Sequence, residues 1–507
     1  MRLISYLKIF GCLFLILSCT QKKKGIPEEK NKPLNVLMIS VDDLNNYLGF
    51  LGDVNAITPN IDRLAKRGVA FTNAHCQSPL CGPSRASIMT GLRPSTTGIY
   101  GMIKDDLIKT DNEETKSVVF LPEYYKKQGY KTMGVGKIFH TYAPEGVFEG
   151  PGRFVGEKPN NSFGPAPKER MVWQGFPPGV DYKGPKTNTD WGAFPANDSL
   201  MSDYKAVQWA SEQLKKDFSG QPFFLAVGFL RPHVPLHVPQ KWFDLYPIDK
   251  IQLPPYLSDD LDDVPEIARN SINSLPMMPT TEWAIETDNW KKIVQAYLAC
   301  VSFVDNEVGK LLDALDNSRY AENTVIVFWS DHGYRVGEKG TFAKHCLWEE
   351  ATRTPLIFSG PNIPKDQKKK VPAELLSIYP TLLDLCGLPP NVQNEGISLA
   401  PIIKGTKEGT DLNAITTYGW SNHSVRSKDY RYISYEDGTE ELYNHIEDPN
   451  EFANIANNPG YDSIKKELKE SLPAINNPWH KHSSYNFGTY FLDQKERVEK
   501  LFNVKKE

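Results

Sequence analysis

Four apolar runs of strand length each stop at ionisable side chains, and this pattern constrains the fold of the 507-residue chain more than any other feature. Leu34–Val41 (LNVLMISV) runs into Asp42 and Asp43, and Tyr130–Gly136 (YKTMGVG) into Lys137. Pro222–Leu230 (PFFLAVGFL) runs into Arg231, Pro232 and His233, and Asn323–Ser330 (NTVIVFWS) into Asp331, His332 and Gly333. Between them lie the amphipathic patterns TPNIDRLAKRG, FLPEYYKKQG, SDYKAVQWASEQLKK and WKKIVQAYLACVSFVDNEVGKLLDAL. In the first of these Thr58 stands as N-cap, Pro59 at the first helical position and Gly68 as terminator. Apolar strands alternating with amphipathic helices predict an α/β fold: a large, mostly parallel sheet flanked by helices. Ligands of such sheets bind beyond the carboxyl ends of the strands, where these ionisable residues collect.

A chain of this length exceeds one ordinary core, so a large domain, 34–405, and a smaller one, 406–507, are expected. After Gly405 the segments AITTYGW, HSVRSKDYRYISYED and EELYNH read as short antiparallel strands, followed by the helical DSIKKELKESL. They predict a small C-terminal α+β domain with its own short antiparallel sheet. Residues Glu149 to Phe194 are rich in Pro, Gly, Asn and aromatics and read as a long loop region, pocket wall or surface. Apolar content of 40% and charged content of 24% are those of a globular protein. A net charge of −4 without a concentrated basic face excludes nucleic acid as a partner. An anionic ligand would need a local cationic pocket.

Residues 1–18 read as a signal peptide, with Arg2 and Lys8 around a short apolar run. Ile16-Leu17-Ser18-Cys19 resembles a bacterial lipobox, which implies lipidation of Cys19 and a membrane-anchored lipoprotein, periplasmic or outer-membrane associated. A plain signal peptide or an anchor helix is the alternative. Residues 19–33 then form a solvated tether. The seven cysteines, Cys12, Cys19, Cys76, Cys81, Cys300, Cys346 and Cys386, lack CxxC spacing, which argues against a zinc site or a dense disulfide framework. Cys300 and Cys386 lie in helical apolar patterns and are expected in the core.

Asp42 and Asp43 are neighbours, and in an extended strand their side chains would point to opposite faces. The backbone must turn for both to converge. Two carboxylates about 4 Å apart repel by about 4 kcal/mol at an effective dielectric near 20, a cost that a bound cation would remove. Hard oxygen donors favour calcium or magnesium, and Asp331 with His332 supplies a third and fourth side chain. A solvated turn is the other reading of each pair. Arg85, Lys137 and Lys344 are candidate anion clamps, Arg85 near the start of a helix. His140 and His233 are candidate proton shuttles. An exposed lysine or a structural histidine is the ordinary alternative for each.

The stretch CGPSRASIMTG, Cys81 to Gly91, resembles the C-x-P-S-R-x-x-x-x-T-G signature of the formylglycine-dependent (type I) sulfatases of the alkaline phosphatase superfamily. NVLMISVDDL, TPNIDRLAKRGVAFTNAHC, GYKTMGVGKIFH and FWSDHG resemble that family in order, and GKIFH, FFLAVGFLRPHVPLHVP and SDHGYRVGEKGTFAKH resemble its iduronate-2-sulfatase branch. His332, where asparagine is usual, and the Lys137-Ile-Phe-His140 spacing, where Lys-x-His is usual, are marks of that branch. ELYNHIEDPNEFANIA resembles the family's C-terminal ending. The resemblance runs from about Leu34 to about Ala456.

It implies that a maturation enzyme oxidises Cys81 to Cα-formylglycine, with Pro83 and Arg85 in the recognition motif. The aldehyde hydrates to a diol, and one hydroxyl attacks sulfur. Asp42, Asp43, Asp331, His332 and the modified Cys81 would hold calcium, while Arg85, Lys137 and Lys344 would neutralise the sulfate. His140 would deprotonate the second hydroxyl to expel sulfate, and His233, with Lys344, would protonate the leaving sugar oxygen. The implied substrate is a sulfated saccharide, uronate-2-sulfate-like or another sulfated glycan unit, attacked from its end. Arg231 is a candidate substrate contact, as are Arg426 and His423 from the smaller domain. The alternatives are a phosphoester hydrolase on the same scaffold and an inactive glycan-binding lipoprotein.

Overall fold

The computed structural model describes residues 33–149, 167–175, 188–485 and 489–504. The expected signal peptide, lipidated Cys19 and tether lie outside the described residues, as does much of the Glu149–Phe194 segment. From Leu34 onward the chain forms one compact unit.

The four predicted strands are present as β1 (Asn35–Asp42), β3 (Lys131–Gly136), β5 (Phe223–Pro232) and β7 (Thr324–Ser330). Sheet strands outside that prediction are β2 (Gly68–His75), β8 (Arg353–Ser359), β9 (Gln367–Lys369) and β10 (Ala373–Glu374). The eight form one sheet in the order β10-β2-β8-β7-β1-β5-β3, with β9 also beside β2. β8 runs antiparallel to β7 and β2, and the other pairs are parallel. The mostly parallel sheet flanked by helices is therefore the architecture of the chain.

The alternating strand faces fill two cores. From β1, Leu37, Ile39 and Val41 enter one core with helices Ser202–Leu214 and Trp290–Asp316. Val36 and Met38 enter the other with helices Cys81–Thr90, Leu121–Lys127 and Ile378–Leu385. Every β1 residue is buried, and each such Val, Leu or Ile contributes about 1.5–3 kcal/mol by leaving water. Both central strands end buried, so their terminal carboxylates sit inside the protein.

Two local expectations take a different form. Thr58 precedes helix Pro59–Lys66, but its hydroxyl accepts from the Gly49 amide (2.9 Å) and donates to Asp62 (3.1 Å). The first helical amides, Asn60 and Ile61, donate instead to Asp305 of the long helix, at 3.1 and 2.7 Å. Gly68 does not end that helix; it opens β2, where a Cβ would lie 2.0 Å from the Phe358 carbonyl oxygen. Cys300 is in the core as expected, whereas Cys386 is only half-buried and accepts from Tyr125 Oη at 3.5 Å. The five described cysteines, Cys76, Cys81, Cys300, Cys346 and Cys386, are all free thiols.

β4 (Trp191–Ala193) and β6 (Leu236–Val238) form a separate parallel pair. The C-terminal region contributes the antiparallel sheet β11 (Ala414–Thr417), β12 (His423–Arg426), β13 (Tyr430–Ser434) and β14 (Glu440–Asn444). On one face Val425, Tyr432 and Leu442 pack with Leu468 of helix Asp462–Lys469. On the other, Ile433, Tyr435 and Tyr443 pack with Trp348, Trp479 and Phe491. Between this sheet and residue 349 lies a buried ionic hub. Arg431 binds Glu349 and, at 2.5 Å, Glu451; Arg426 reaches Glu349 at 3.0 Å and His445 reaches Glu451 at 2.8 Å. The grouping of Glu349, His445 and Glu451 has the composition of a cation site, but its carboxylates are already matched by arginine. Among the described residues no helix is long and apolar enough to cross a membrane.

Gly136 is what allows β3 to deliver Lys137. Its φ is +78°, and a Cβ there would lie 1.9 Å from the Gly228 carbonyl oxygen of β5. Gly136→Ala should lower stability by about 3 kcal/mol or more, read as a fall in urea midpoint. An unchanged midpoint would show that β3 and β5 can separate at no cost.

Candidate active site

β1 ends with a register shift between Val41 and Asp42, and Asp43 takes a left-handed φ of +61°. That is the turn the sequence demanded: both carboxylates converge, fully buried, on the end of β7. There Asp331 Oδ1 accepts the Asp43 amide at 3.2 Å. Tyr297, from the long helix, donates its hydroxyl to the Asp43 carbonyl at 2.7 Å and fixes this turn from behind.

Each carboxylate has a cationic partner. Arg85, on the first turns of helix Cys81–Thr90, sends Nε to Asp331 Oδ2 at 2.8 Å and Nη2 to Asp42 Oδ1 at 3.4 Å. Its Nη1 donates to the Lys137 and Ile138 carbonyls at 2.5 and 3.1 Å. Lys137 binds Asp42, and Lys344 binds both oxygens of Asp43 at 2.6 and 2.8 Å. Burial opposes ionisation of Asp42, yet Lys137, His233 and Arg85 outweigh it and hold the carboxyl well below its usual range. Asp43 is pushed up by burial and by repulsion from Asp42 and Asp331, which Lys344 and His332 only partly offset. A site with this residual strain between carboxylates suits an added cation.

The histidine geometry agrees. His332 Nδ1 donates to the Gly333 carbonyl at 2.8 Å, so a neutral ring turns its Nε2 lone pair toward the carboxylates. Nε2 lies 3.2 Å from Cys81 Sγ, 3.5 Å from Asp43 and 3.7 Å from Asp331. Donor atoms of Asp42, Cys81, Asp331 and His332 all lie within 4.8 Å of one another, as do those of Asp42, Asp43, Cys81 and His233. Three carboxylates with one imidazole fit a hard divalent cation. Cys81, the first residue of its helix, is 1% exposed, and burial, then Asp42, pushes its thiol well above the usual range. As a plain cysteine it is a poor nucleophile.

A cavity of about 270 Å³ opens above this cluster, and Cys81, Lys137, His140, His233 and Lys344 line it. His140 is carried on a loop whose amides at His140, Thr141 and Tyr142 donate to Asp105 at 3.1, 2.7 and 3.2 Å. Burial, then Lys137, lowers the His140 pKa to about 3, and its Nδ1 is buried without a hydrogen-bond partner. The imidazole is neutral and lines the same cavity as Cys81. His233 Nδ1 donates to the Val234 carbonyl at 2.7 Å.

The three candidate substrate contacts outside this set are placed elsewhere. Arg426 is buried in the ionic hub, also donating to the Ser427 and Lys428 carbonyls at 2.5 and 3.1 Å. His423 bonds Thr417 and Asn476 at 3.0 and 2.9 Å. Arg231 donates to the His237 and His233 carbonyls at 3.0 and 3.1 Å and braces the loop that carries His233. None of the three lines the cavity.

No sequence pattern marks the apolar wall formed by Met102, Leu275, Met277 and Met278, nor Tyr334 and His345. Met277 and Met278 sit in a proline-flanked loop with no periodicity. The position of His345 next to Lys344 was the one available hint.

A family model described as Sulfatase matches residues 34–388. The chain belongs to the sulfatase family. A second family model, N-sulphoglucosamine sulphohydrolase, C-terminal, matches residues 337–478 of this sulfatase. It is 58% identical to a sulfatase of Formosa agariphila, over 95% of this chain and 94% of that protein. It is 34% identical to the iduronate 2-sulfatase of Homo sapiens over 74% of each chain. A solved 2-O GAG sulfatase, 24% identical, shares its fold with a TM-score of 0.64, over 86% of this chain and 90% of that one. The protein is a sulfuric ester hydrolase of the type I sulfatases, within the alkaline phosphatase superfamily, and the family does not favour the alternative of an inactive binding protein.

Arg85 is shared by two buried carboxylates, Asp42 and Asp331. Arg85→Met would leave Asp331 and Asp42 buried without their shared partner and should cost about 3–5 kcal/mol. Arg85→Lys would restore charge without the fork and recover only part of it. Urea midpoints read both, and a wild-type midpoint for Arg85→Met would remove this arginine from its structural role.

Proposed function

We propose that this sulfatase removes sulfate from the end of a sulfated saccharide, using Cys81 matured to Cα-formylglycine and a calcium ion held by Asp42, Asp43, Asp331 and His332. The observation that carries the reading is the convergence of Cys81, Lys137, Lys344, His140 and His233 on one small cavity, with Arg85 bound to the buried Asp331 and Asp42 carboxylates. A cavity of about 270 Å³ suits one terminal unit better than a polymer passing through. The relatives named for iduronate 2-sulfatase and 2-O GAG sulfatase activity support a saccharide as substrate.

Formylglycine, as its hydrate, supplies one hydroxyl to attack sulfur and a second to expel the sulfate afterwards. A calcium ion bound there would supply positive charge to offset the negative charge of the sulfate oxygens. Lys137 and Lys344 reach the ester from opposite carboxylates and offset its charge as the bond breaks. His140, neutral and lacking an Nδ1 partner, accepts the proton of the second hydroxyl. His233 donates to the leaving oxygen. Burial, then Lys344, pushes the His233 pKa well below the usual range, so the negative charge of a bound ester is what restores its proton.

Maturation of the site requires a formylglycine-forming partner enzyme. The Met1–Cys19 pattern supports an exported lipoprotein, periplasmic or outer-membrane associated, with its anchor on Cys19.

The tryptic peptide Gly68–Arg85 from the native host should carry an aldehyde at Cys81, trapped by a hydrazide, while Cys76 in the same peptide stays a thiol. Two thiols in active protein would defeat the mechanism. In a panel of sulfated mono- and disaccharides, with 4-nitrophenyl sulfate and phosphate beside them, sulfate release from at least one saccharide is expected, and phosphate turnover should be far slower. Chelation should abolish turnover and lower the melting temperature, with calcium restoring both better than magnesium. Persistence of full activity in excess chelator would remove the metal.

A further inference from the structure

His140 is given a proton transfer above, yet its Nδ1 is buried without a hydrogen-bond partner. A histidine that acts as a base is ordinarily oriented by a carboxylate or carbonyl at its second ring nitrogen. Here the placement of the imidazole has to come from the backbone that carries it.

Two buried side chains of opposite charge hold that backbone. Before His140, Arg85 Nη1 donates to the carbonyls of Lys137 and Ile138 at 2.5 and 3.1 Å. From His140 onward, Asp105 accepts the amides. His140 donates to Oδ1 at 3.1 Å, and Thr141 and Tyr142 donate to Oδ2 at 2.7 and 3.2 Å. The Thr141 hydroxyl adds a fourth bond, to Oδ2 at 2.7 Å. Between the two clamps the side chains of Ile138 and Phe139 enter the core.

Asp105 is 3% exposed, and among the described residues no lysine, arginine or histidine forms an ion pair with it. A carboxylate buried without a cation is costly to a fold. The hydrogen bonds this one accepts all come from the three consecutive residues 140–142. Bonds to a charged acceptor are the strong ones, so what Asp105 secures is the course of that loop. Ile103 and Ile108, on either side of Asp105, lie in the same core as Ile138 and Phe139. The acceptor is therefore held as firmly as the donors.

We propose that Asp105 is a positioning residue for His140, acting through the three amides it collects and not through the ring. This rests on the role given to His140 above, where it accepts the proton of the second hydroxyl as sulfate is expelled, after the leaving oxygen has gone. A change at Asp105 should then spare departure of the leaving alcohol and slow departure of sulfate.

The test uses the matured, calcium-loaded enzyme and whichever ester of the panel it turns over fastest, with rapid quenching to count alcohol and sulfate separately in the first turnover. His140→Ala should release one alcohol per matured site at close to the wild-type rate, with sulfate slowed about a hundredfold or more. Asp105→Asn keeps the size of the side chain but turns an NH2 group towards the loop amides in place of one oxygen. It should give the same order of release, with sulfate slowed about tenfold or more and alcohol by no more than about threefold. Thr141→Val removes one of the four bonds and should slow sulfate by about two- to fivefold.

A purely structural loss would reduce the number of competent sites and lower both products together. That result in Asp105→Asn or, should that variant not fold, in Thr141→Val would overturn the inference, as would wild-type sulfate release by Asp105→Asn. Sulfate keeping pace with alcohol in His140→Ala would overturn the role of His140 and this inference with it. Alcohol ahead of sulfate in His140→Ala but not in Asp105→Asn overturns the inference alone. A matured enzyme that turns over no ester would overturn the reading above as well.

Discussion

Three carboxylates without solvent exposure, Asp42, Asp43 and Asp331, crowd the carboxyl ends of two adjacent parallel strands. Their repulsion, of order 4 kcal/mol for each close pair, has to be answered from elements far apart in sequence. Arg85 answers it from a helix, Lys137 from the end of β3 and Lys344 from the loop after β7. Each cation in turn fixes a neighbour: Arg85 clamps the backbone that carries Lys137, and Lys344 fixes the loop that carries His345. The site is thus a charge balance first and a catalytic arrangement second. A polar cluster this deeply buried is unstable when any single member is removed, and that interdependence holds its geometry before substrate arrives.

The central strands were legible because burial on both faces leaves an unmistakable trace, an unbroken apolar run. The site floor was legible for a related reason: carboxylates and cations at the ends of such runs have no place in a hydrophobic core unless they bind something. β2 and β8 escaped because GVAFTNAH mixes Thr, Asn and His into the strand and RTPLIFS opens on Arg, Thr and Pro. Gly68 looked like a helix stop because glycine serves both roles in sequence, and only the approach of Phe358 distinguishes them. Arg426 and His423 looked available because strand patterns do not say which face meets a neighbour. Met277, Met278 and His345 were invisible for a deeper reason: their meaning lies in which loops meet, and no local periodicity encodes that.

The C-terminal sheet serves the site indirectly. Its ionic hub grips residue 349, a few positions after Lys344 and His345, through Arg426 and Arg431. The Glu349 amide donates to Glu451 at 2.8 Å, which closes the loop between the two anchors. Well-packed apolar residues in place of such a hub often serve stability as well. What ion pairs add here is register: the planar forks of Arg431 and Arg426 accept one placement of the loop, and the lysine and histidine travel with it.

Met102 lines the cavity, and its backbone pairs with Ser484 in a reciprocal bridge, amide to carbonyl at 2.7 and 2.9 Å. The wall of the pocket is therefore completed by the last stretch of chain to be synthesised. A nascent polypeptide that has released its nucleophile motif and every described sheet strand still lacks the segment that pairs with Met102. One wall of the cavity thus depends on a segment that belongs to no strand of the large sheet.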